Sequence, residues 1–159
     1  DLRAGTRAAG TLAVPAARPR EGASSLGAVS TSERIAFLRE AYRRFNDRQI
    51  DGLLQMMTDE VEWPDVANDV VLHGKQAIRS YWQAQFSAGD PHVDPVDFIE
   101  AGDDLVVVVD QRVADREGRP LPVPAVVFHR YTFDGDLVRR MVVFTDRDAA
   151  LTDPDGPGT

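Results

Sequence analysis

Two periodicities, one following the other, constrain this chain more than any single motif. Apolar residues first recur at helical spacing, and strand-like runs separated by turns come after them. Ile35, Leu38, Tyr42 and Phe45 form one helical stripe, with Arg39, Glu40, Arg43 and Arg44 at the solvated positions. Ser30 and Glu33 fit a capping box, in which each side chain satisfies an orphan amide of the first turn. Asn46-Asp47-Arg48 ends this helix, and Asp51 caps a short second one through Leu53, Leu54 and Met57. Val61-Glu62-Trp63-Pro64-Asp65 reads as a strand, Asn68-Asp69 as a loop, and Gly74 opens a third helix that buries Ile78, Tyr81, Trp82 and Phe86.

Gly89-Asp90-Pro91 breaks the third helix, and four strands follow. The first, 93–100, contains Pro95 and so reads as an edge or a bulge. The second, 105–114, carries the unbroken run Val106 to Val109, the mark of a strand covered on both faces. Asp115 to Arg119 turns the chain into the third, 123–133. Asp134-Gly135 is a hairpin signal ahead of the last, 137–145. The order predicts an α+β fold: a strongly bent, mostly antiparallel sheet wrapped around three N-terminal helices as a cone, with a central pocket.

Residues 1–29, rich in Ala, Gly, Ser, Pro and Arg, read as a disordered tail without the apolar core of a secretory signal. Val29 is the expected natural start or a processing point. Residues 30–148 form the domain, and 149–159 read as a flexible C-terminal tail. No apolar run reaches the ~18 residues of a membrane span, so no membrane partner and a cytoplasmic location are expected. A net charge of −8 argues against nucleic acid, which needs a basic face. The absence of cysteine removes disulfides, thiolate nucleophiles and zinc–thiolate sites. His73, His92 and His129 are scattered, so no metal is expected; no phosphate-cradling or dinucleotide motif points to a cofactor.

Several short segments, taken in order, resemble one family. They are Phe45-Asn46, Asp51-Gly52, Val61 to Asp65, Gly74 with Ala77-Ile78-Arg79, Phe133-Asp134-Gly135 and Arg140-Met141-Val142. Together they resemble the nuclear transport factor 2-like superfamily, in its SnoaL-like and ketosteroid-isomerase-like branch, over roughly Ser30 to Asp148. The resemblance implies a homodimer with sheets packed together and a pocket for a small hydrophobic ligand. Lys75 is the single lysine, amid abundant Arg, Ala, Asp, Gly and Val, which suggests high-GC coding and a bacterial source. The superfamily holds isomerases, cyclases, hydrolases and non-catalytic binding domains, so fold alone does not set function.

Counted back from Gly74, Asp65 falls on the catalytic base of ketosteroid isomerases. That family's oxyanion hole pairs a tyrosine with a protonated aspartic acid. The tyrosine position falls on Ala41, beside Tyr42, and the acid position falls on His129. A catalytic aspartate of limonene epoxide hydrolases lands on Val143. The expected catalytic residues are thus Asp65 as base and His129 as donor to an enolate oxygen. Tyr42, Trp63, Trp82, Asp110, Arg112 and Phe144 are the expected substrate-binding residues. Each has a plainer reading: Asp65 as a turn cap, His129 as a half-buried imidazole with a backbone partner, Asp110 and Arg112 as an ion couple, the aromatics as packing. The reading is a cofactor-independent acid–base enzyme of isomerase or cyclase type, acting on a polyketide- or terpenoid-like carbonyl compound. Its alternative is a non-catalytic hydrophobic-ligand-binding or dimeric interaction module of the same fold.

Overall fold

The computed structural model describes residues 29–153. Residues 1–28 and 154–159, which hold most of both expected tails, lie outside the described residues. Helix α1 (Thr31–Asn46) opens on the capping box, with Ser30 N–H donating to Glu33 Oε1 at 3.0 Å and Glu33 N–H donating to Ser30 Oγ at 3.1 Å. It stops where Arg48 takes a left-handed φ of 63°. Helix α2 (Ile50–Leu54) is one turn and a half. Met57, expected in that helix, instead starts strand β1 (Met57–Asp65). The reason is a long-range bond: Val138 N–H donates to Met56 O at 3.0 Å and draws the chain into the sheet early.

Strand β2 (Val70–His73) pairs antiparallel with the end of β1, where the sequence suggested only a loop. Helix α3 (Lys75–Ala88) follows Gly74, whose φ of 88° suits glycine. Strand β3 (Gly89–Ala101) begins on the very residues read as a helix breaker. A Cβ on Gly89 would sit 2.7 Å from Ala114 O, so glycine is what lets the start of β3 lie against the end of its neighbour. Strands β4 (Asp104–Asp115), β5 (Val126–Asp134) and β6 (Leu137–Phe144) complete a meander. The sheet order is β2-β1-β6-β5-β4-β3, bent and unclosed, and parallel only between β1 and β6.

The expected C-terminal coil gives way to helix α4 (Arg147–Thr152). Asp146 caps it by accepting the Ala149 N–H at 2.8 Å, and Ala150 is fully buried. This helix covers one face of the sheet, over Ala101, Val106 and Phe144. The other, inner face packs Leu38 and Tyr42 of α1 and Ile78 and Trp82 of α3 against Val61, Val107, Val109 and Tyr131. The unbroken valine run of β4 therefore feeds two cores by alternation, Val107 and Val109 inward and Val106 outward.

Candidate functional site

Alternation along β1 puts Val61, Trp63 and Asp65 on the inner face, and Val61 and Trp63 belong to the inner core. On β5 the same rule points Val127, His129 and Tyr131 inward. His129 pairs with Val143 of β6 on one side and with Val107 of β4 on the other. The last parallel pair between β1 and β6 is Glu62 with Arg140, and β6 lies between the strands that carry Asp65 and His129. Asp65 and His129 thus flank one strand in a row across the inner face. Both are buried, each 8% exposed.

Asp65 holds a turn as well as a place in this row. Its Oδ2 accepts from Asn68 Nδ2 at 2.8 Å and its Oδ1 from Asn68 N–H at 3.3 Å. Among the described residues no arginine or lysine pairs with it. Tyr81 of α3 stands beside it: burial, and then the Asp65 charge, raise the Tyr81 phenol above its ordinary range.

His129 ends a buried polar chain. Tyr131 Oη donates to Tyr42 Oη at 2.9 Å, and Tyr42 Oη lies 2.8 Å from His129 Nδ1. The Tyr42 and His129 rings stack 5.9 Å apart at 15°. Burial pushes the imidazole pKa down to about 4, because a charged ring would lose its hydration, so it is neutral near pH 7. Burial likewise raises both tyrosines, which stay protonated. His129 Nε2 has no hydrogen-bond partner among the described residues.

Trp63 and Trp82 meet edge to face at 5.4 Å, and Trp63 leans on Tyr131 at 6.5 Å. Phe45 joins Trp82 at 6.2 Å to Phe86 at 5.1 Å. Phe86 also lines a hollow of about 490 Å³ with Gly89, Asp90 and Ala114. A second hollow of about 410 Å³ adjoins it, walled by His92, Gln111, Leu121 and Val123. Both open at the end of the sheet where β3 begins and β4 finishes, which the antiparallel pairing makes the end where β5 begins. A run of aromatic rings thus leads from this rim to the buried row.

Four expected substrate-binding residues stand elsewhere than foreseen. Phe144 is fully buried on the opposite face, against α4, since it alternates with Val143. Asp110 and Arg112 share the parity of Val106, not of Val107, so both point outward and are exposed. They form no couple; Arg112 Nη2 reaches Asp94 of β3 at 4.0 Å, and Arg112 also lines the second hollow. Tyr42 faces the interior, but its hydroxyl is taken by Tyr131 and His129 rather than offered to a ligand. Asp65, His129, Trp63 and Trp82 do converge on the inner face. Sequence reasoning missed Asn68 and Tyr131. The i, i+3 spacing of Asp65 and Asn68 is the turn signal that would have found the first. The shared parity of Tyr131 with His129 would have found the second.

Comparison with known proteins follows this geometry. The SnoaL-like domain family matches residues 38–141. No curated protein matches the chain. Among solved structures, TerC co-crystallized with polyporic acid is 25% identical with a TM-score of 0.62, covering 73% of this chain and 93% of that one. SalBIII, an epoxide hydrolase/cyclase-like enzyme with a role in pyran ring formation in the polyether salinomycin, is 18% identical with a TM-score of 0.62, covering 74% and 93%. RV0760c from Mycobacterium tuberculosis, solved with estradiol-17beta-hemisuccinate, is 16% identical with a TM-score of 0.62, covering 72% and 95%. The last two likenesses concern the fold alone.

Proposed function

The chain belongs to the SnoaL-like domain family, and from that membership we propose that it is an acid–base enzyme acting beside the carbonyl of a small, largely apolar compound. Asp65 is the base. It breaks a C–H bond next to the carbonyl and takes the proton, while the electron pair moves onto the carbonyl oxygen as an enolate. His129 Nε2–H donates to that oxygen, a fixed donor in a water-poor interior. Return of the proton to another carbon gives an isomer, and attack of the enolate carbon on a second carbonyl of the same molecule closes a ring. Trp63 and Trp82 supply aromatic walls that suit a polyketide- or terpenoid-like skeleton. No cofactor enters these steps, because hydrogen bonds carry the enolate charge.

The observation that carries this reading is the row itself: a carboxylate with no cationic partner among the described residues and an imidazole with a free nitrogen face one interior across a single strand. The small-molecule ligands named for TerC and RV0760c agree with a pocket for an organic ligand. A homodimer is part of the proposal, and sedimentation velocity measures it.

The test is hydrogen–deuterium exchange of β-tetralone, a flat apolar ketone, in deuterated water. The wild-type protein is expected to speed exchange next to the carbonyl, and Asp65→Asn to abolish that while keeping fold and binding. Equal exchange by both proteins removes the base role. The second reading, a non-catalytic hydrophobic-ligand-binding or interaction module, rests on Asn68, which occupies both Asp65 oxygens. Binding of β-tetralone without exchange favours it.

A further inference from the structure

The tyrosine pair behind His129 has a direction, and the direction decides which imidazole nitrogen carries the proton. Each hydroxyl has one hydrogen to give, and a neutral imidazole has one N–H and one bare nitrogen. In the first arrangement Tyr131 donates to Tyr42, and Tyr42 donates to Nδ1. Every hydroxyl hydrogen is then used, Nδ1 is bare, and the ring proton sits on Nε2. Only that Nε2–H is left without a partner.

The reverse arrangement would run from Nδ1–H to Tyr42 and from Tyr42 to Tyr131. Tyr131 has no other hydrogen-bond partner among the described residues, so its own hydrogen would be stranded inside the core. Nε2 would at the same time be an unmatched acceptor. The first arrangement leaves one polar group open and the reverse leaves two. Stranding one more buried polar group is costly enough to settle the choice. Protonating the ring does not rescue the reverse chain, because both nitrogens would then donate inside an apolar interior that disfavours the cation. Among the described residues no carboxylate is bonded to the ring; it meets the rings of Tyr42 and Tyr131, and its backbone pairs with Val107 and Val143.

We propose, resting on the acid–base reading above, that Tyr42, its hydroxyl oxygen held by Tyr131, is a positioning residue that locks His129 as the neutral Nε2–H tautomer. The site thereby keeps a ready donor for a substrate oxygen whether or not substrate is bound. It also follows that the donor is neutral, so the substrate oxygen receives a hydrogen bond and not a proton. The carbonyl must then be one whose enolate survives as an anion, and Asp65 alone handles the proton.

Nitrogen NMR on protein carrying labelled histidine tests the lock without any substrate. In the wild type at pH 7, the His129 Nδ1 is expected to resonate as a bare, hydrogen-bonded nitrogen and Nε2 as a protonated one. Tyr42→Phe removes the contact at Nδ1 and should draw the two signals together through tautomer exchange. Tyr131→Phe leaves Nδ1 as the one acceptor for the Tyr42 hydrogen among the described residues and should keep the wild-type pattern. A protonated Nδ1 in the wild type overturns the proposal. So do signals that stay unchanged in Tyr42→Phe. The spectrum of Asp65→Asn is expected to match the wild type, so a failed base role and a failed lock give different results. Where Tyr42→Phe does not fold, the wild-type spectrum decides alone, because the lock requires a bare Nδ1 and a protonated Nε2.

Discussion

His129 and Arg130 are consecutive on β5, point to opposite faces of the sheet, and anchor the buried polar group of each side. His129 closes the tyrosine chain within the helix-covered core. Arg130 donates to Asp104 Oδ2 at 2.8 Å, to Ala150 O at 3.0 Å and to Ala101 O at 3.3 Å, tying α4 to the sheet. One strand thus holds a neutral polar network and a charged one, a side chain apart.

The neutral network predicts an acid-side loss of stability. The His129 pKa is lowered from 6.5 to about 4 by burial, so the unfolded chain binds the proton first. Stability from this group is complete above pH 6.5 and declines as the pH falls toward 4. The full loss is roughly 3 kcal/mol from a shift of that size. Urea unfolding at pH 7 and at pH 5 measures it, and His129→Gln should flatten the difference. An equal slope in that variant would assign the loss to other groups.

Removing the middle of the tyrosine chain should hurt more than removing its end. Tyr42→Phe strands the Tyr131 hydroxyl and His129 Nδ1, whereas Tyr131→Phe deletes only a terminal donor. Costs of about 2–4 and about 1 kcal/mol follow from the price of unpaired buried groups. The double variant should cost less than the sum of the two, since no hydroxyl then remains to be stranded. Additive losses in chemical denaturation would mean that the two hydroxyls act independently.

On the outer face, Asp104→Ala should destabilise by about 3 kcal/mol, because it leaves the Arg130 guanidinium buried without its carboxylate. Asp104→Ala combined with Arg130→Met should cost clearly less than the two single losses added. Thermal unfolding of the three variants checks this, and hydrogen exchange at Ala149 and Ala150 should show α4 loosening in step.

Gly89→Ala tests the close approach at the rim. The added methyl would meet Ala114 O at 2.7 Å, with backbone and not a flexible side chain in the way. Separation of β3 from β4 there should cost on the order of 1–3 kcal/mol. Unchanged stability, with β3 amides as well protected as before, would show that the strand ends shift freely.

The fold was legible because helical and strand periods follow one another cleanly, from the Leu38–Tyr42 stripe to the Asp134-Gly135 turn. The inward placement of Asp65 and His129 was legible through alternation and family position together. Asp110 and Arg112 were not, because Val106 to Val109 are apolar on both faces, and parity cannot be read where no face is polar. Only the Val107–His129 pairing fixes which side looks inward. Phe144 and α4 were missed for one shared reason. A helix of six residues carries too little pattern to be seen, and without it the outer face has no visible cover.

The parallel pairing of β1 with β6 joins Glu62 to Arg140, so the segment made early in synthesis finds its central neighbour only in the last strand. On the ribosome, β1 and β2 must wait as a two-stranded ribbon, too small to be stable by itself. The row that holds Asp65 and His129 is therefore assembled only after β6 has emerged. Folding of this protein should be slow for its size and sensitive to premature termination, since losing the last strand dismantles the candidate site before it loosens the β3–β5 meander.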